Sequence, residues 1–252
     1  MLTGWTTWAW VAATFVAAGV VKGVSGMGLP TLAMALLSLR LPPAAAAALM
    51  LLPALLTNLA QCLGPLWRPL LRRLWPLWAG LVAGTLASPW PGLGGQGHGA
   101  GLVLGTVLVA YGLFGLWRPQ LPQPTPAHER WLGAGAGLAG GALSAATGVF
   151  VLPMVPLLQS LRLPREALIQ ALGISFTLAS LALAARLGGL GQGGAAALLP
   201  DPLACGVALV AAFAGMALGA RLRHRLPPLA FQRALFGVFA VLGLLTLVKA
   251  LG

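Results

Sequence analysis

The chain has 252 residues, 59% of them hydrophobic and only 7% charged. Soluble domains carry about a quarter charged residues, so this composition excludes an ordinary soluble fold and points to a bilayer. The formal net charge of +12 does not indicate nucleic-acid binding, because the basic residues lie mostly at the ends of apolar runs. There they orient a membrane protein and meet anionic lipid.

Alanine and leucine dominate, so helices are expected rather than the alternating pattern of a barrel. Cys62 and Cys205 each sit inside an apolar run, and His98, His128 and His224 are scattered. Neither pattern has metal-ligand spacing, so no metal or cofactor is expected. Met1-Leu-Thr-Gly4 lacks a basic n-region, so the first apolar run is expected to stay in the mature protein.

Apolar runs and their breakers predict ten segments. These are Trp5–Gly23, Leu29–Leu39, Pro43–Leu63, Leu74–Pro89, Gly99–Trp117, Trp131–Thr147, Val149–Leu161, Glu166–Leu187, Pro202–Leu222 and Phe231–Ala250. Leu29–Leu39 and Val149–Leu161 are too short to span and read as half-helices. The proline-rich stretch 118–130 has no apolar period and reads as a cytoplasmic linker between residues 1–117 and 131–252.

The two halves resemble each other. Ser38-Leu-Arg-Leu-Pro42 recurs as Ser160-Leu-Arg-Leu-Pro164, and the same offset superposes Gly19 on Gly141 and Gly26 on Gly148. Each half then reads as a long segment, a break, a short segment and three more helices. Arg68, Arg72 and Arg73 mark the loop after the third segment, whereas Trp90–His98 has no Lys or Arg. In the second half the bias reverses. Gly188–Asp201 has no Lys or Arg, and Arg221, Arg223 and Arg225 follow the next helix. By the positive-inside rule equivalent loops face opposite sides. The expected fold is an all-α polytopic membrane protein of two inverted repeats, each a broken-helix hairpin plus three spanning helices.

The break Gly19-Val-Val-Lys22-Gly-Val-Ser25-Gly26-Met-Gly28-Leu-Pro30 is the first candidate site. Half-helix N-termini offer free N–H groups and the positive end of a dipole to an anion. Gly23, Gly26 and Gly28 permit close backbone approach, and Ser25, Ser144 and Thr147 add hydroxyl donors. Lys22 is an ionisable residue in apolar sequence, which is a functional-site hypothesis by default. The alternative is that it snorkels to an interface. Ala145-Ala-Thr-Gly148 is the second break, with Ser144 where the first half has Lys22. The two breaks are expected to meet, placing Lys22 close to Ser144–Gly148. Thr57, Asn58 and Gln61 on the third segment, and Gln170, Ser175, Thr177 and Ser180 on the eighth, either line a hydrated path or hydrogen-bond between helices.

Glu129, Glu166 and Asp201 are the acidic residues, and all are expected in loops. No intramembrane carboxylate is available as a general acid or proton relay, so catalysis is not expected. There is no Walker-type Gly-Lys-Ser/Thr for nucleotide binding.

The ordered set Gly-x-x-Lys22-Gly-x-x-Gly-x-Gly-x-Pro30, Leu41-Pro-Pro-Ala44 and Thr57-Asn58-Leu-Ala-Gln61, with Leu70–Ser88 and Gly215-x-x-Leu-Gly-x-Arg221 followed by Phe231-Gln-Arg233, resembles the sulfite exporter TauE/SafE family of membrane permeases. The resemblance covers nearly the whole chain. It implies a multi-pass protein of the bacterial inner membrane that moves a small sulfur-containing or organic anion, often outward. Its partners would be that anion and the lipid bilayer, and a homodimer is left open. The chain departs from the family where members often read Gly-x-Gly-Gly, at Ala145–Gly148, which shifts weight to Lys22 and the first half.

Overall fold

The computed structural model describes residues 5–89, 99–117, 121–189 and 201–251. Those residues form ten helices and no strand: α1 (Trp5–Ser25), α2 (Leu29–Leu37), α3 (Pro43–Cys62), α4 (Trp67–Leu86), α5 (Gly99–Trp117), α6 (Pro126–Thr147), α7 (Met154–Ser160), α8 (Arg165–Gly189), α9 (Pro202–Leu222) and α10 (Pro228–Leu251). Six of them, α1, α3, α5, α8, α9 and α10, are long and apolar enough to cross a membrane. The loop expected at Trp90–His98, most of that at Gly188–Asp201, and Met1–Gly4 lie outside the described residues.

Three boundaries differ from expectation, each for a local reason. Helix α4 starts at Trp67, so Arg68, Arg72 and Arg73 ride on its first two turns rather than in a loop. Helix α6 starts at Pro126, because proline suits the first turn of a helix, so His128, Glu129 and Arg130 are helical rather than linker. The chelated pair Arg73–Glu129 then ties the two helix starts together. Helix α7 has only seven residues. Gly148 ends α6 in the left-handed region at φ 70°, and Val149, Phe150 and Val151 have no regular structure before the turn at Leu152–Pro153 that leads into α7.

Small residues decide which helices meet. On α1, Gly19 and Gly23 lie four apart against Ala212, Met216, Gly219 and Ala220 of α9. In return Gly215 and Gly219 face Val16 and Val20. A Cβ at Gly23 would collide with the backbone of α9. On α4 and α6 the same spacing sets Gly80 and Gly84 against Ala134 and Leu138, and Gly137 and Gly141 against Leu77, Leu81 and Thr85. Such close backbone approach is how membrane helices associate without a hydrophobic drive between them. Residue numbers rise together across both interfaces, so both pairs are parallel. Across α5–α10 they run oppositely, Gly101 facing Ala250 and Gly112 facing Phe236 and Ala240. Across α3–α8 they do so again, Gly64 facing Gln170, Gly173 facing Gln61 and Cys62, and Cys62 Sγ lying 3.1 Å from Thr177 Oγ1.

Counted from its own start, the first helix of each half packs on the fourth of the other, the third on the third and the fifth on the fifth. Helix α8 is also hydrogen-bonded along α4. Gln170 reaches Leu66 N just before it, Ser175 accepts from Trp78 Nε1 at 2.9 Å, and Arg186 donates to the carbonyls of Thr85, Leu86 and Ser88 at 3.0–3.1 Å.

Candidate functional site

The first break is built by two left-handed glycines. Gly26 has φ 81° and Gly28 has φ 96°, a conformation glycine adopts at no steric cost. Ser25 stabilises the turn from within. Its hydroxyl is 2.7 Å from the Val21 carbonyl and 2.8 Å from the Met27 carbonyl, and it accepts from Met27 N–H at 3.3 Å. Gln61 of α3 donates to the Gly26 carbonyl at 2.8 Å, which pins the break to the end of α3. The chain then returns as α2, so that the Arg40 guanidinium stacks 4.5 Å over the Trp10 ring near the start of α1. A hairpin over Trp5–Leu39 is thus what forms.

One turn before the break, Lys22 is 2% exposed. Its ammonium donates to Thr57 Oγ1 at 3.1 Å and to Asn58 Oδ1. Thr57 in turn donates to the Pro53 carbonyl at 2.6 Å, which leaves its lone pairs for the lysine. Both partners are neutral oxygens. Asn58 Nδ2 and Gln61 Oε1 are buried beside it and make no hydrogen bond among the described residues. The snorkelling alternative does not hold: the side chain is sealed among α1 and α3.

The carboxylates are all occupied elsewhere or exposed. Glu129 pairs with Arg73, Asp201 caps α9 by accepting from Leu203 and Ala204, and Glu166 is exposed on the first turn of α8.

The second break is closed differently. Ser144 donates to the Gly141 carbonyl at 2.9 Å and lies 3.1 Å from Thr85 Oγ1 of α4. Thr147 donates back to Leu143 O and accepts from Val149 N at 3.1 Å. Gly148 sits against the Met34 side chain of α2. The two breaks therefore do not share one polar cluster as expected. Lys22 is bound to α3 and Ser144 to α4. Gly148 meets α2 six residues beyond Gly28, about 9 Å of helix rise.

Of the twelve residues singled out from sequence, Lys22, Ser25, Gly26, Gly28, Asn58 and Gln61 come together. Gly23 faces α9, Gln170 binds the carbonyls of Cys62 and Gly64 in the α3–α4 turn, and Ser175 bonds Trp78. Ser144, Thr147 and Gly148 form the second cluster.

Two adjoining cavities of about 370 and 320 Å³ open against the first break and share Ser25, Met27, Gln159 and Gln232. The larger reaches Gly28 and Arg162, the smaller Gly26, Arg165 and Arg223. The Ser25–Gly26 turn thus lines this vestibule while bonded to Gln61 and, through Gly26 N–H, to the Lys22 carbonyl. Gln159, Arg162, Arg165, Arg223 and Gln232 were not singled out from sequence as site residues. Arg162 had a signal, since it occupies the repeated Ser-Leu-Arg-Leu-Pro turn that places Arg40 in the first half.

A bundle of apolar helices interrupted by two glycine-closed breaks, with a buried lysine one turn before one of them, fits a polytopic membrane protein. The sequence model of the sulfite exporter TauE/SafE family matches residues 11–246, and the chain belongs to that family. Comparison with the curated proteins and with the solved structures gave no match.

Proposed function

We propose that the chain is a secondary transporter that exports a small anion, sulfite or an organic sulfonate or carboxylate, using Lys22 as its buried counter-charge. One observation carries the reading: Lys22 is a sealed lysine whose amine meets only neutral oxygens. A buried charge is expensive unless paired, and the chain has no membrane-embedded carboxylate to pair with it. An anion completes the site, with Asn58 Nδ2 as a further donor.

The vestibule is the cytoplasmic mouth. Arg68, Arg72, Arg73, Arg130, Arg162, Arg165, Arg221, Arg223, Arg225 and Arg233 belong to helix ends and turns on its side, against Arg40, Arg186 and Lys249 at the opposite ends. The positive-inside rule assigns that richer side to the cytoplasm. The same arginines raise the local anion concentration. An inside-negative potential then favours outward movement of an anion.

Opposed counterparts support inverted repeats. Helices α3 and α8, and α5 and α10, occupy equivalent places in the two halves and run antiparallel. A two-fold axis along the membrane normal would leave them parallel; one in the membrane plane reverses them. The left-handed glycines flanking Met27 supply the hinge, and the Gln61–Gly26 bond is the latch that must break for an anion to pass from vestibule to Lys22. Counterflow in proteoliposomes tests this. Export should saturate and show exchange of labelled for unlabelled sulfite or sulfonate, and Lys22→Met should lower both about 100-fold. Anion current linear with voltage and without exchange would make the protein a channel instead.

A further inference from the structure

We propose that the crevice between α5, α6 and α7 binds an anionic phospholipid of the cytoplasmic leaflet, one acyl chain lying along α6 and the phosphate head at His128 and Arg162. The proposal goes beyond the transport reading and does not depend on which solute is carried.

The crevice has a volume of about 800 Å³, toward the upper end of the roughly 300–1,000 Å³ that hold bulky organic groups. It opens sideways: on its lining Trp131 is 81% exposed and Leu132 50%. In a chain that spans a membrane, such a face meets lipid tails. Along α6 the lining runs from His128 through Trp131, Leu132 and Gly135 to Ala136, at spacings that keep these residues on one face. The step from His128 to Ala136 is about 12 Å of helix rise, against about 15 Å for half of a hydrocarbon core. The groove therefore matches the reach of a chain from one leaflet. Gly135 leaves room along it, since a Cβ there would meet nothing within 4 Å.

Its two ends differ. The deep end is apolar, with Ala136, Leu152 and Pro153. The end at the start of α6 is polar, with Gln123, Thr125 and His128. Thr125 Oγ1 lies 2.7 Å from His128 Nδ1, which orients the ring and leaves Nε2 for a head group. Arg162 lines the adjoining cavity two residues past Ser160, which lines both. No described residue of the crevice lining is acidic, and Glu129, beside His128 in the first turn of α6, is tied to Arg73. This end thus offers donors and a guanidinium to a phosphate, and no carboxylate to the ammonium of a zwitterionic head. Basic pockets between membrane helices on the cytoplasmic side hold anionic head groups in this way. Phe114, Leu121, Pro156 and Ser160 line both the crevice and the larger vestibule cavity, so the bound chain forms the bilayer-side wall of the vestibule.

Native mass spectrometry of the purified, delipidated full chain tests this with palmitoyl-oleoyl phosphatidylglycerol. Palmitoyl-oleoyl phosphatidylcholine supplies equal chains on a zwitterionic head. Phosphatidylglycerol should bind at least about fivefold tighter, the effect of one basic side chain near a membrane surface. Gly135→Trp fills the groove and should weaken phosphatidylglycerol binding about tenfold. Gly206→Trp, at an equally open glycine of α9 outside the crevice lining, should not. His128→Glu sets a like charge at the head, in a first turn where an acidic residue suits the helix dipole. It should remove the preference for phosphatidylglycerol and spare phosphatidylcholine, and it decides the matter where Gly135→Trp fails to fold. Equal affinity of the wild-type chain for the two lipids overturns the proposal, as does undiminished phosphatidylglycerol binding by either variant. A dimer that dissociates on Gly135→Trp while lipid binding stays unchanged puts a second copy in the crevice and overturns it as well. Each of these failures leaves anion export standing, and absence of saturable export leaves the lipid site standing.

Discussion

The two broken helices begin from the same plan and end as different devices. In the first, a glycine-closed break holds the buried Lys22 amine against α3, and Asn58 Nδ2 makes no hydrogen bond among the described residues. In the second, the residue at the lysine's place is Ser144, and its hydroxyl is consumed by Gly141 and Thr85. The packing outside the breaks is shared: glycines four apart seat α1 on α9 and α6 on α4. The difference teaches that both halves keep glycine seams four residues apart, while the buried lysine stands in only one of them. The second half adds Gln159, Arg162 and Arg165 to the lining of the cavities at the first break, and no second buried lysine.

The largest expected effect falls on what the halves share. Gly141→Leu would drive a side chain into the backbone of Leu81 and Thr85, and Gly23→Leu into that of Met216 and Ala220. Neither interface can yield without parting two helices. Each substitution should cost upwards of about 3 kcal/mol. Both variants should disappear from the monodisperse peak in fluorescence-detected gel filtration. Survival of either would mean that these glycines are not the seams.

Next comes what the halves do not share. Lys22→Met should reduce export by about 100-fold, the loss of one or two charge-assisted hydrogen bonds of about 1.5–3 kcal/mol. It should leave the melting temperature unchanged or raised, because replacing a buried charge by an apolar side chain of similar volume is often neutral or stabilising. Export assayed in proteoliposomes, with a melting curve on the same preparation, separates the two. A variant that melts far earlier would make Lys22 a folding element.

Arg186→Leu should act the opposite way. It removes the donor to three carbonyls at the end of α4, where cations also meet the helix dipole. Stability should fall by about 3 kcal/mol, read as a lower melting temperature, while export at 25 °C by the protein that remains folded stays within a few-fold of normal.

How much of this the sequence carried follows from what each feature depends on. The helices, the hairpin at Trp5–Leu39 and the family were readable, because length, apolarity and glycine spacing are local. Lys22 and its partners Asn58 and Gln61 were readable as types, since a cation and amides in apolar sequence need partners. Their union at one point depends on how α1 turns at Gly26, and no local pattern gives that. The starts of α4 and α6 were missed because arginine-bearing turns look like loops until Arg73 and Glu129 neutralise each other across helices. The separation of the breaks was missed for a similar reason. Equivalent positions in a repeat invite the idea of contact, yet the contacts follow the glycine seams, which send Ser144 to α4.

The smallest effect tests the comparison most directly. Ser144 occupies the place of Lys22, so a single shared site would make both essential. Its hydroxyl, however, already donates to its own helix at Gly141, and Thr85 likewise bonds Leu81 at 2.8 Å. Removing the Ser144 hydroxyl leaves no buried donor stranded. Ser144→Ala should then cost under about 1 kcal/mol and change export less than about twofold. A loss as deep as that of Lys22→Met would bring the two breaks back into one site, since only a direct role toward the anion could make so well-satisfied a hydroxyl matter that much.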